Sequence, residues 1–575
     1  MTNHTTRNDK TMNPIAALLL VLFFALAYLG FDTWAFPLIS PDEPRYAETA
    51  REMLESGNWI VPYCDYTYRF HKPILFYWLE VVSFKCFGLT EFAARLPSVL
   101  SGLGLTWLAY LIGNLHGFGI TAALILLSSL EIFIVSKLSI TDMSLCFFIC
   151  GAITFFYLGY VKIAFNRQKF AFKERLSSLW FTSSIFMMAL GVLCKGPVAI
   201  AIPVAVIGIF LFIKKDLKDF FLNTWLELLK GFILFLALVL PWYIAVHIQT
   251  DGEFTREFFL SHNLQRFTSV HSGHDAPIWY YIPVVFVGFL PWVFFLTQSL
   301  TSFDYSSNIN VNSEKAKKAQ THIFCLIWTI VVFGFFTISQ TKLPTYIIFI
   351  FLPLSILVAR WWSEKYKTTR GQASKNIDAL FGLIAYLITI IATVIVAMTV
   401  LKPYLSLLNI TIPVIIIGFI LISSVLIAMT AILDKARIAF IFILIGFAVS
   451  SLLGNHFIFK AYADHKDDGS KAFMRNLDKD TPFTVLQSYP TRFEFYGERE
   501  VRNIGMKNFI DFLQESNGNA LFATKTVNLK KLEHFLEKRP ELELKVEDIL
   551  QVTKHGEVFS FGRNKGPVDL YDALN

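Results

Sequence analysis

Charge is in short supply along this chain: Asp, Glu, Lys and Arg make up 17% of its 575 residues, against about 25% in soluble proteins. A water-soluble fold of this length needs a larger charged surface, so an ordinary soluble enzyme is excluded. Cysteine is scarce as well. The six are Cys64, Cys86, Cys146, Cys150, Cys194 and Cys325, and no two form a CxxC pair that would suggest a zinc knuckle. Four lie in or beside apolar runs and read as packing residues. Cys64 and Cys86 share one polar segment, and a disulfide between them is left open because spacing sets no geometry. The short alternating segments of a transmembrane barrel are missing. So are internal repeats, low-complexity stretches and any nucleotide-sugar motif.

What is there is apolar. The hydrophobic share is 54% and the mean hydropathy +0.52. Uniform windows of about twenty apolar residues recur, the signature of membrane helices. The fold class is therefore a polytopic α-helical membrane protein. The runs suggest about thirteen spans, at 14–36, 92–113, 117–135, 143–161, 180–194, 197–213, 229–247, 278–299, 321–338, 344–360, 377–400, 411–432 and 437–458. The first run lacks a small-residue cleavage pattern before Pro37, so it reads as a retained span and not a signal peptide.

Basic residues orient these spans. With Arg7 and Lys10 inside, the inner loops carry Lys162, Arg167, Lys169, Lys173 and Arg175; Lys214, Lys215 and Lys218; Lys315, Lys317 and Lys318; Arg360, Lys365, Lys367, Arg370 and Lys375; and Lys435 and Arg437. Every sizeable inner loop is basic. The net charge of +7 is thus explained by cytoplasmic loops, with no nucleic-acid partner implied. The outer face receives the loops 37–91 and 248–277, the turns 136–142 and 339–343, and a charged tail, 459–575. The tail reads as a small soluble α/β domain after a membrane domain at 14–458. In the first loop, 44–56 reads as an amphipathic helix stopped by Gly57, and 73–87 as a helix in the interface.

Unusual polar residues collect on that outer side. Pro41-Asp42-Glu43-Pro44-Arg45-Tyr46-Ala47-Glu48 follows the first span, and His71-Lys72-Pro73 precedes the next apolar stretch. Asp142 stands at the mouth of the fourth span, Lys195 between two spans, His262 and Arg266 on the second large loop, and Lys342 and Tyr346 at the tenth span. Plainer roles stay open for several: a helix cap for Asp42 or Asp142, a snorkelling Lys195, an Arg45–Glu48 pair along one helix, a surface His262. Lys72, Arg266, Lys342 and Tyr346 together suit the grip of a phosphate diester, with Lys195 a further candidate. Asp42, Glu43 and Asp142 are the candidate catalytic carboxylates. Cations on a departing phosphate, and a carboxylate beside the incoming group, are the layout expected for sugar transfer from a polyprenyl phosphate.

At these residues the sequence resembles the bacterial aminoarabinose transferases of lipid A, within the wider protein O-mannosyltransferase-like group of GT-C fold. The resemblance is carried by Asp42 to Glu48, Trp59-Ile60-Val61-Pro62, Lys72-Pro73, Tyr77-Trp78, Glu91 to Pro97, Thr141-Asp142, Lys195-Gly196-Pro197, Pro241-Trp242-Tyr243 and Thr341-Lys342-Leu343-Pro344. It implies an inverting glycosyltransferase of the bacterial inner membrane with its active site facing the periplasm. The implied donor is an undecaprenyl phosphate-linked sugar, and the implied acceptor a lipid A phosphate among the membrane lipids. Asp42 matches the catalytic acidic position and Asp142 a second one. Lys72 and Arg266 match phosphate-binding positions, and Tyr346 extends them. His71 stands where the group often has Glu, near a position where some members hold a metal; His71 with His262 is a candidate zinc pair. Protein O-mannosylation is the alternative enzyme reading. A flippase for a lipid-linked sugar is the alternative of another class, but it would place its charges near the midplane on broken helices.

Overall fold

The computed structural model describes residues 13–164, 170–260, 276–302, 314–368 and 436–463, most of 469–505, and strands at 521–525, 550–551 and 559–563. Among the described residues, six helices are long and apolar enough to cross a membrane. Three of them are Glu91–Asn114 (α4), Thr141–Ala164 (α7) and Leu217–Gln249 (α10). Three later ones occupy 316–338, 344–364 and 437–459. Shorter apolar helices include Pro14–Gly30 (α1), the end of Phe170–Lys195 (α8), and Val198–Lys214 (α9). α7 lies at the centre, 89% of its apolar window buried, whereas α10 is an edge helix with 22% buried and large side chains such as Phe221, Trp225 and Phe232 exposed. The expected spans at 377–400 and 411–432 lie outside the described residues, as do His262 and Arg266.

Two expected spans are broken. The run 117–135 forms two short helices, Gly119–Leu127 (α5) and Leu130–Val135 (α6). Ser128 and Ser129 sit at the break, and their hydroxyls donate to the carbonyls of Leu124 and Ile125, competing with the helical ladder. The run 278–299 forms Tyr281–Gly288 and Trp292–Thr301, bent by 101°. Pro291 stands at this corner without an N–H to continue a helix. The two breaks are joined: Leu130 N donates to Leu290 O at 3.2 Å, and Trp292 Nε1 donates to Ser128 Oγ at 2.9 Å.

The first loop is structured as its sequence suggests. Asp42–Ser56 (α2) begins with two carboxylates where the helix N-terminus favours negative charge. It ends at Gly57, whose φ of 68° is the left-handed cap that glycine adopts without strain. A two-residue ladder pairs β1 (Tyr63–Cys64) with β2 (Thr67–Tyr68), and Leu75–Phe87 (α3) follows. Cys64 and Cys86 are free thiols, Cys64 buried and Cys86 exposed. Burial pushes the Cys64 thiol up to about 12, with nearby Arg69 opposing. Glu48 pairs with Arg51, not with Arg45 as a local reading allows: Arg51 Nη2 and Nε reach its two oxygens at 2.7 and 2.9 Å, a fork that a single point contact does not match.

In the tail, five strands order as β4-β3-β5-β7-β6, where β3 is Phe483–Leu486, β4 Arg502–Ile504, β5 Leu521–Lys525, β6 Leu550–Gln551 and β7 Phe559–Arg563. β3 runs parallel to β4 and β5; β7 runs antiparallel to β5 and β6. The tail rests on the first loop. Leu38 N donates to Tyr496 Oη at 2.8 Å. Lys471 pairs with Glu91 at 2.6 Å, and the ring of Phe495 meets that of Phe84.

Candidate active site

Asp142 is the centre of the site. It occupies the first turn of α7, where its Oδ1 accepts from Lys195 Nζ at 2.9 Å and from Thr345 Oγ1 at 2.8 Å. Lys195 ends α8, so three separate segments meet on one carboxylate. The Lys195 ammonium also lies 5.0 Å from the centroid of the Tyr346 ring, a cation–π contact. Lys72 is near enough for its charge to act on Asp142. Asp142 is therefore no simple helix cap, and Lys195 does not snorkel away from the site.

Asp42 lies near enough for its charge to act on Tyr46, one turn further along α2, as does Asp142. Burial pushes the Tyr46 phenol well above its ordinary value; Tyr77 adds to this, Arg69 opposes it, and Asp142 and Asp42 add again. Both carboxylates thus act on one hydroxyl. Asp42 itself is exposed, and no side chain caps α2. Arg69 backs the group from behind, its Cζ 5.0 Å from the Tyr46 ring centroid and its Nε donating to Tyr77 Oη at 2.9 Å.

Two sequence candidates stand elsewhere. Glu43, expected among the catalytic carboxylates, is a buried brace. Its Oε1 accepts from Arg95 Nε at 2.9 Å and Ser139 N at 2.6 Å; its Oε2 accepts from Arg95 Nη2 and Ile39 N, each at 2.8 Å. Four donors leave no room for a reacting group. Arg95 spends its remaining N–H groups on the carbonyls of Thr33, Phe36 and Pro37. The second is Lys342, whose Nζ donates to Ser339 O at 2.7 Å and is buried, which braces the 339–343 turn. His71 is exposed and Lys72 half-buried, side by side before α3. Among the described residues, His71 belongs to no group of three potential metal ligands; its expected partner His262 lies outside them.

The residues missed in the sequence are Thr345, Tyr46, Arg69 and Arg95. A buried arginine at the start of an apolar helix is a signal, since an unpaired buried charge is costly. The other three carry no such mark. Tryptophans of the resembling motifs also meet partners here: Trp78 Nε1 donates to Trp59 O at 2.8 Å, and Trp242 Nε1 to Ile60 O at 2.9 Å.

Residues 15–252 match the family model described as dolichyl-phosphate-mannose-protein mannosyltransferase. The undecaprenyl phosphate-α-4-amino-4-deoxy-L-arabinose arabinosyl transferase 2 of Proteus mirabilis is 32% identical over 409 residues, covering 69% of this chain and 68% of that one. The corresponding transferase of Yersinia pestis is 32% identical over 389 residues, 66% of each chain. The crystal structure of ArnT from Cupriavidus metallidurans bound to undecaprenyl phosphate superimposes with a TM-score of 0.73 at 21% identity, covering 97% of this chain and all of that one. Its apo form gives 0.72. The helical fold is that of ArnT, of GT-C type.

Proposed function

Because this chain belongs to the bacterial family of undecaprenyl phosphate-aminoarabinose arabinosyl transferases, we propose that it moves aminoarabinose from undecaprenyl phosphate onto a phosphate of lipid A. The observation that carries this reading is the gathering of Asp142, Lys195, Thr345 and Tyr346 into one cluster that Lys72 and Asp42 adjoin. In this reading the reaction lies on the periplasmic side of the inner membrane. The chain crosses the membrane about thirteen times, two of the crossings being the broken spans, and 459–575 forms a periplasmic domain resting on the first loop.

An oxygen of the acceptor phosphate attacks the anomeric carbon from the face opposite the donor phosphate. The bond from that carbon to the phosphate oxygen breaks, and its electron pair leaves with undecaprenyl phosphate, giving inversion. Lys72, Arg266 and the Tyr346 hydroxyl stabilise the charge that grows on the departing phosphate. Asp142 holds Lys195 and Thr345 in place, and Lys195 is a positioning residue, not a phosphate ligand. Asp42 stands on the exposed end of α2. It orients the acceptor and offsets positive charge at the anomeric carbon or on the sugar amine.

A phosphate acceptor is already anionic at neutral pH and needs no deprotonation, whereas a protein hydroxyl needs a base. Asp42→Asn should therefore leave more than about 1% of transfer activity, since base catalysis contributes about 10²–10⁴-fold where it is required. A complete loss, measured with purified donor and acceptor, would favour a hydroxyl acceptor and protein O-mannosylation. The reaction itself is tested by mass spectrometry of lipid A from cells with and without the gene. An aminoarabinose-sized mass on a phosphate should vanish with the gene, return with the parent chain and fail to return with Lys72→Ala. Unchanged lipid A in cells that express the protein would overturn the reading and direct the search to O-linked sugar on proteins.

A further inference from the structure

Away from the reacting cluster, α2 meets the tail at an acidic site that the transfer reaction does not use. Glu48 and Glu52 lie one turn apart on α2. Glu494 comes from the tail helix Thr491–Gly497. All three are buried, exposed by 4% or less. One carboxylate oxygen from each lies within 4.8 Å of the others. Two oxygens bound on opposite sides of one ion at about 2.4 Å are separated by about 4.8 Å, so the spacing fits a single hard cation.

Among the described residues, Arg51 bonds one of the three carboxylates, and Arg69 reaches Asp65 by way of the Cys64 thiol. Arg51 bonds Glu48, and the same guanidinium also bonds the exposed Glu55. Glu52 accepts from the backbone N–H of Tyr66, at 3.3 and 3.2 Å, and from that of Asp65. Glu494 Oε1 accepts from Val501 N at 3.2 Å, while its buried Oε2 meets no donor among the described residues. The carboxyl group of Asp65 lies against that of Glu494. Of the three clustered glutamates, Glu48 is the one hydrogen-bonded to Arg51 among the described residues. Buried carboxylates left without such a partner are costly, and a Glu494 oxygen from the tail lies within 4.8 Å of an oxygen of each α2 glutamate.

We propose that Glu48, Glu52 and Glu494, with Asp65 beside them, bind a hard divalent cation of the calcium or magnesium class, which fastens the tail to the helix that carries Asp42. Oxygen-only donors of this kind favour calcium, magnesium or manganese over zinc. The site goes beyond the proposed transfer and does not depend on it.

The test uses the full-length protein in detergent, stripped with EDTA and titrated separately with calcium, magnesium, manganese and zinc. A hard cation should raise the thermal midpoint by about 3–5 °C at a hundredfold excess over its dissociation constant. Glu494→Gln should abolish that response and the stoichiometric metal found by elemental analysis. Glu52→Gln serves as the second variant if the first does not fold. The His71→Ala/His262→Ala variant should respond as the parent does, which separates this site from the candidate zinc pair. A midpoint that no cation moves, a response in which zinc exceeds the hard cations, or an undiminished response in Glu494→Gln would each overturn the proposal.

Discussion

Lys195→Met alone should lower turnover by about 10²-fold, and Asp142→Asn added to it should restore part of the loss. The pair is close, 2.9 Å, and its two side chains are 13% and 14% exposed. Removing one partner of such a pair leaves an uncompensated charge, at a cost of about 3 kcal/mol, equivalent to about two orders of magnitude in rate. Here the stranded charge would be the Asp142 carboxylate, beside Lys72 and in the path of an anionic donor. Neutralising it removes that repulsion, while the amide oxygen still accepts from Thr345. Rates on purified protein with a polyprenyl phosphate-sugar donor decide the matter. If Lys195 touched the donor phosphate itself, as the sequence alone suggests, the double variant would be no better than Lys195→Met.

The second large effect belongs to Arg95→Met. It should destabilise the protein by about 3–5 kcal/mol, because Glu43 would remain charged and buried with half of its donors gone. The carbonyls of Thr33, Phe36 and Pro37 would lose theirs as well. Thermal unfolding in detergent should show a lower midpoint and poor recovery. Glu43→Leu/Arg95→Met, which removes both charges, should be more stable than Arg95→Met. A catalytic Glu43 predicts otherwise: Arg95→Met would then lose activity at an unchanged midpoint.

Much of this site was legible residue by residue, but its partnerships were not. Asp42, Lys72, Asp142, Lys195 and Tyr346 announce themselves as polar groups beside apolar runs, where charge is costly. Their assignments differ from their positions. Asp142 and Lys195 are 53 residues apart in sequence and bonded in space; Thr345 is a further 203 residues from Asp142. Glu43 and Asp42 are neighbours on one helix, yet successive residues point about 100° apart. One is buried against Arg95 and the other is exposed. No pattern of residue types says which of the two turns inward. That depends on where α4 lies.

By itself the sequence determined the membrane class, the helical runs and the two helices of the first loop. Each follows from local physics: the length of apolar chain that crosses a bilayer, and the glycine that ends α2. Only the tertiary structure decided that two apolar runs are broken, that Glu43 braces while Asp42 stays open, and that a glutamate of the tail joins two of α2 in an acidic cluster. These outcomes rest on contacts between segments far apart in the chain, and a hydrogen bond or ion pair has no sequence distance: its partner is fixed only when the helices have packed.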